Sequence, residues 1–147
     1  MSAMSSETSR ARRVTAAVWH TDSVMDTYSP DEAPDPREWL TLDEGQRLHL
    51  VEAYHAREKI HVANARLHAA IHTVVENQVA IPEQTVVDTM NRLQREGLSR
   101  HDAIHAVGSV LVERLLAALK QKTTPINLAG AYLEDLKGLT AEAWKNS

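Results

Sequence analysis

The chain has 147 residues, 43% of them apolar, which supports one domain with a real core and excludes a wholly disordered chain. Its 20 acidic and 16 basic residues, net charge -4, argue against nucleic acid as a partner, because phosphate binding needs concentrated Lys and Arg. Cysteine is absent, so disulfides, thiolate metal sites and a cysteine nucleophile are excluded, and any metal must be held by His and carboxylate.

Residues 1–13 are polar and Ser-rich and read as a disordered tail. Arg10, Arg12 and Arg13 are followed too soon by Asp22 and Asp26 for a secretory apolar segment, and no run of about 18 apolar residues occurs. A cytoplasmic protein without a membrane span is the expectation. Residues 14–28 are weakly amphipathic and predict a short helix. Pro30, Pro34 and Pro36 among acidic residues then read as a linker. On this basis residues 1–36 form a poorly packed tail and linker, and residues 37–147 a helical domain.

The capping pattern Thr41-Leu-Asp-Glu44 starts a helix over about 42–58, with Leu42, Leu48, Leu50, Val51 and Tyr54 at helical spacing. Asn64 caps a second helix to about Ala80, which Pro82 ends. Thr85 and Asp88 are candidate caps for a third, through Val86, Met90 and Leu93 to Gly97. Ser99-Arg-His-Asp102 opens the longest helix, to about Lys120, closed by Thr123, Thr124 and Pro125. Asn127 caps a last helix carrying Tyr132, Leu133 and Leu136 to Gly138. No alternating β-branched run and no Asn-Gly or Asp-Gly turn competes. The expected fold is all-α, a bundle of four to five helices.

Two His-x-x-x-His pairs, His68/His72 and His101/His105, lie in apolar helical segments, with Glu76 four residues after the first and Glu113 eight after the second. Residues four apart share a helix face about 6 Å apart along the axis, so two imidazoles can converge on one ion and a carboxylate one turn on can join them. Between Ala65 and Ile81 the only ionised side chains are Arg66 and Glu76, which predicts a buried helix whose polar groups need partners. Gly108 and Ser109, one turn beyond His105, leave open space. The expected metal ligands are His68, His72, Glu76, His101 and His105, holding one or two divalent ions of Fe, Mn or Zn. Glu113, about 80° round from His105 and two turns higher, ranks as a bridging or outer group. Glu76 and Glu113 are the candidate catalytic bases. The competing structural reading is a hydrogen-bonded core network of His, Glu76 and Gln78. His20, His49, His55 and His61 read as surface or loop residues without a role. Gly97-Leu-Ser99 also suits a helix-turn-helix, against which stand the net acidity and the apolar second helix.

At these residues the sequence resembles the bacterial domain-of-unknown-function family 1841. Its pattern corresponds here to His68, His72, Glu76, Gln78, His101, His105 and Glu113, with a tail like Ala131-Tyr-Leu-Glu-Asp-Leu136. The likeness covers about half the chain, residues 64–136. It implies a helical fold and marks the same polar residues, and it supplies no reaction.

Two functions are open from the sequence. One is a small metalloenzyme, an oxidoreductase or hydrolase, in which Glu76 or Glu113 serves a metal-activated water and an unspecified small molecule is the substrate. The other is a binding or scaffold protein with a structural His cluster, whose function lies on a surface for a protein partner or a second copy. An open coordination position beside a pocket discriminates them.

Overall fold

A computed structural model describes residues 25–147. The expected tail at 1–13 and most of the short helix at 14–28 lie outside these residues. The described residues are all-α, with seven helices and no strand. They are α1 (Pro36–Thr41), α2 (Glu44–Arg57), α3 (Ala65–Ala80), α4 (Gln84–Arg95), α5 (Arg100–Gln121), α6 (Pro125–Gly138) and α7 (Ala141–Lys145). None is long and apolar enough to cross a membrane.

The starts follow local chemistry. Asn64 accepts from the Leu67 amide and Ser99 from the Asp102 amide, each satisfying one orphan donor. Gly97, at φ 106°, ends α4, where Leu98 N donates back to Leu93 O and Gly97 N to Gln94 O, as in a Schellman turn. Three caps differ from the expected ones. The capping box of α2 is Asp43 with Gln46, not Thr41 with Glu44. Glu83 caps α4 in place of Thr85 or Asp88. Thr124 caps α6 with Pro125 in its first turn, a position that suits proline because its missing N–H would be unpaired anyway.

The short helices α1 and α7 were not expected. Each is two turns or less, so sequence periodicity cannot reveal it, and each is held by a cap and one or two core residues. Asp35 accepts from Arg37 N and Glu38 N and opens α1, whose Trp39 is wholly buried. The Trp39 indole donates to Asn77 Oδ1 at 2.8 Å.

Residues 25–36 also differ from the loosely packed stretch expected. Tyr28 is 2% exposed, packs tilted against Trp39 and edge-on to Tyr54, and donates to Glu76 Oε1 at 2.6 Å. Pro30 O accepts from Arg100. Pro30 and Pro34 keep the stretch before α1 non-helical without making it loose, and Pro36 is the first residue of α1, where proline is tolerated.

Two apolar clusters share α3. One joins it to α1, α2 and the segment before α1, through Tyr28, Trp39, Leu42, Val51, Tyr54 and Ala69. The other joins it to α4, α5, α6 and α7, through Val75, Leu93, Ile104, Val107 and Leu136. At Gly108 of α5 an added Cβ would lie 2.5 Å from Ile71 Cγ2, so the absence of a side chain there lets α5 approach α3 closely. Gln78 of α3 accepts from the Tyr132 hydroxyl of α6 at 2.8 Å, which brings together two separate parts of the family-like pattern.

Candidate metal centre

Five histidines meet where α2, α3 and α5 converge. His68 and His72 come from α3, His101 and His105 from α5, and His55 from the last turn of α2. One ligand atom from each lies within 4.8 Å of all the others. His72 is 1% exposed and His55 5%. The two expected pairs are thus brought together, and His55, read from the sequence as a surface residue, joins them. The overlooked signal is its register. His55 is four residues after Val51 and seven after Leu48, on the face of α2 that packs into the core.

The ring nitrogens point at each other. His72 Nε2 lies 2.9 Å from His105 Nε2, His105 Nε2 lies 3.2 Å from His68 Nε2, and His68 Nε2 lies 3.1 Å from His55 Nε2. His55 Nδ1 is 2.8 Å from Val51 O. A carbonyl only accepts, so His55 carries its proton on Nδ1 and presents a lone pair from Nε2 when neutral. His68 Nε2 must then donate to His55, and His105 Nε2 must be a lone pair toward His68. Two protons serve three contacts at best. Buried His101 Nε2 and His72 Nδ1 have no partner among the described residues. Such a network is poorly satisfied as a set of hydrogen bonds.

A cation resolves that conflict. Around an ion with bonds of about 2.0–2.1 Å, adjacent nitrogens at right angles lie about 3.0 Å apart and opposite ones about 4.2 Å, whereas a tetrahedral edge is about 3.4 Å. The contacts of 2.9–3.2 Å are in the range of ligand–ligand edges, and a cluster whose atoms lie within 4.8 Å of one another would close slightly on an ion. The cluster could therefore hold a metal ion. Burial, together with repulsion between neighbouring rings, pushes His68 and His105 down to about 4 and lowers His72 strongly; burial and His55 lower His101. These four rings are therefore neutral at pH 7, the state a metal needs.

The carboxylates are placed differently from the sequence expectation. Glu76 is not a member of the cluster. It is 1% exposed, its Oε1 and Oε2 each accept from the Arg100 guanidinium at 2.8 Å, and Oε1 also accepts from Tyr28. Arg100 precedes His101 and Glu76 lies one turn after His72, so this buried fork fixes α3 against α5 beside the rings. As placed, the carboxylate is directed to Arg100 and Tyr28, outside the group of rings. Glu113 is exposed, outside the cluster, and on the wall of a neighbouring cavity. His49 and His61 are exposed, and His20 lies outside the described residues.

That cavity, of about 500 Å³, is lined by His68, His72 and His105 at its inner end, where Gly108 and Ser109 also face it. His55 and His101 are on the far side, where the Tyr54 ring packs edge-on to both. One flank of the cluster is thus covered by protein and the other opens on a space of ligand size.

No protein-family model, curated protein or solved structure matches the chain.

Proposed function

We propose that the protein is a small metal-dependent enzyme, an oxidoreductase with one divalent ion held by His55, His68, His72, His101 and His105. The observation that carries this reading is the convergence of five imidazoles, two of them buried, within 4.8 Å of one another beside a cavity. Five donors exceed the four of a closed structural zinc site, which suits ions of higher coordination number, Fe or Mn before Zn. Imidazole binds a metal as a neutral ligand, and the nearest buried carboxylate, Glu76, is already neutralised by Arg100. A ligand set without negative charge favours the divalent over the trivalent state. When bound, such an ion supplies a Lewis acid and, if it is iron or manganese, an electron.

The chain's residues have separable tasks on this reading. The imidazoles bind, Val51 O sets the tautomer of His55, Glu76 and Arg100 hold the two helices in register, and Tyr54 excludes water from the covered flank. Of the polar residues singled out by the sequence pattern, four become ligands on this reading, Glu76 an anchoring carboxylate and Glu113 a cavity-wall carboxylate. Hydrolysis is the second reading, favoured by one observation: Glu113 borders the cavity and is free of the Arg100 fork, so it is the base a hydrolase would use. A purely structural cluster is disfavoured by the cavity on its open flank. A cytoplasmic location and a small-molecule substrate belong to the same proposal.

Elemental analysis of protein purified without a His tag tests it. About one Fe, Mn or Zn per chain is expected, lost from His72→Ala and His105→Ala. Oxygen uptake by the iron-loaded protein supports the oxidoreductase. A metal-free protein that binds none of the three ions refutes the reading.

A further inference from the structure

We infer that the cavity takes a monoanion with an apolar body, of the class of aliphatic carboxylates, whose head meets the ion at the open flank of the cluster. This rests on the metal-centre reading above. Two independent features of the cavity give the two ends of the ligand. The inner end is His68, His72 and His105, and an ion held there keeps its full positive charge because every ligand is neutral and Glu76 is spent on Arg100. An anion completing the coordination offsets that charge in a partly dry setting, where the attraction is strong. The walls are Val62, Leu67, Ile71 and Val112. Leu67, 52% exposed in the first turn of α3, lines the cavity and gives it an apolar wall that a ligand can cover. The polar groups on the walls are few: Asn64, Ser109 and Glu113. Asn64 Oδ1 is already engaged with Leu67 N, and Ser109 Oγ donates to Ala106 O. Glu113 would repel a second negative charge, which selects a monoanion over a dianion. No wall residue is a cation, so no ion pair with the walls competes with the ion for a carboxylate.

The test uses the full chain loaded with cobalt(II), whose visible bands report changes at the ion. Acetate, butyrate and hexanoate are titrated in turn. All three should perturb the bands, with affinity rising about fourfold per methylene, since burial of each CH₂ is worth about 0.8 kcal/mol. Hexanoate should therefore bind at least a hundredfold more tightly than acetate. Leu67→Asn, a neutral change at an exposed position on the cavity wall, should keep its cobalt and its acetate response and lose much of the chain-length dependence. Bands unmoved by hexanoate, equal affinities along the series, or a chain-length dependence undiminished in Leu67→Asn would each overturn the inference while leaving the metal centre standing. Failure to bind cobalt at all is read before any anion is added, and it removes the centre and this ligand together.

Discussion

Glu76→Gln removes one charge from a pair in which the carboxylate side chain is 1% exposed and its guanidinium partner 9%. Gln keeps the shape and loses the charge, so Arg100 is left buried with no carboxylate. Removing one partner of a buried pair costs about 3–5 kcal/mol, against roughly 5–15 kcal/mol of total stability for an ordinary domain. At roughly 3 °C per kcal/mol for a chain of this size, Tm should fall by about 9–15 °C. Urea unfolding followed by circular dichroism gives the free energy directly. The double substitution Glu76→Gln with Arg100→Met removes both charges and should recover at least about 2 kcal/mol, because no charge is then stranded. Metal content measured well below the urea midpoint should match the parent, since Glu76 is not a ligand. The reasoning is refuted if Glu76→Gln stays within about 0.5 kcal/mol of the parent, the range of an ordinary surface change. It is refuted in a second way if stability holds and the metal is lost, which would make Glu76 a ligand after all.

Further outcomes follow from the cluster. His55→Ala should lose metal as His72→Ala does, whereas His49→Ala, at an exposed position, should keep it; equal metal content in His55→Ala and the parent would remove His55 from the centre. Gly108→Ala should force α5 from α3 at Ile71, cost about 1–3 kcal/mol as an overpacked contact, and weaken metal binding at least tenfold in a chelator competition; unchanged affinity would mean the helix spacing does not set the ligand geometry. In metal-free protein the depressed His68 and His105 bind protons more readily when unfolded, so their contribution to stability should be full above about pH 6.5 and be lost as pH drops through about 4, with the more strongly lowered His72 extending the loss further. Urea midpoints at three pH values check this, and a midpoint flat from pH 7 to 4 would contradict burial of neutral rings. Saturating metal at about a thousand times its Kd should add roughly 4 kcal/mol at pH 7.

The helices at α3 and α5 and the pairing of His68 with His72 and His101 with His105 were determined by local sequence. Asn64 and Ser99 satisfy amides within three residues, and a spacing of four places two rings on one face whatever surrounds the helix. The all-α class was legible for the same reason, because apolar spacing repeats over several turns. Tertiary structure alone decided which polar groups meet. His55 is thirteen residues from His68 and on another helix, so its partners are set by how α2 packs on α3 through Val51, Tyr54 and Ala69. Glu76 has the right spacing from His72 for a ligand, yet its carboxylate turns to Arg100 and Tyr28, twenty-four and forty-eight residues away. A buried carboxylate is stabilised most by a bidentate guanidinium, and no local pattern announces where that guanidinium will come from. The prolines before α1 likewise exclude helix locally and say nothing of Tyr28, which the core takes in because a large apolar ring with a satisfied hydroxyl gains more from burial than from solvent.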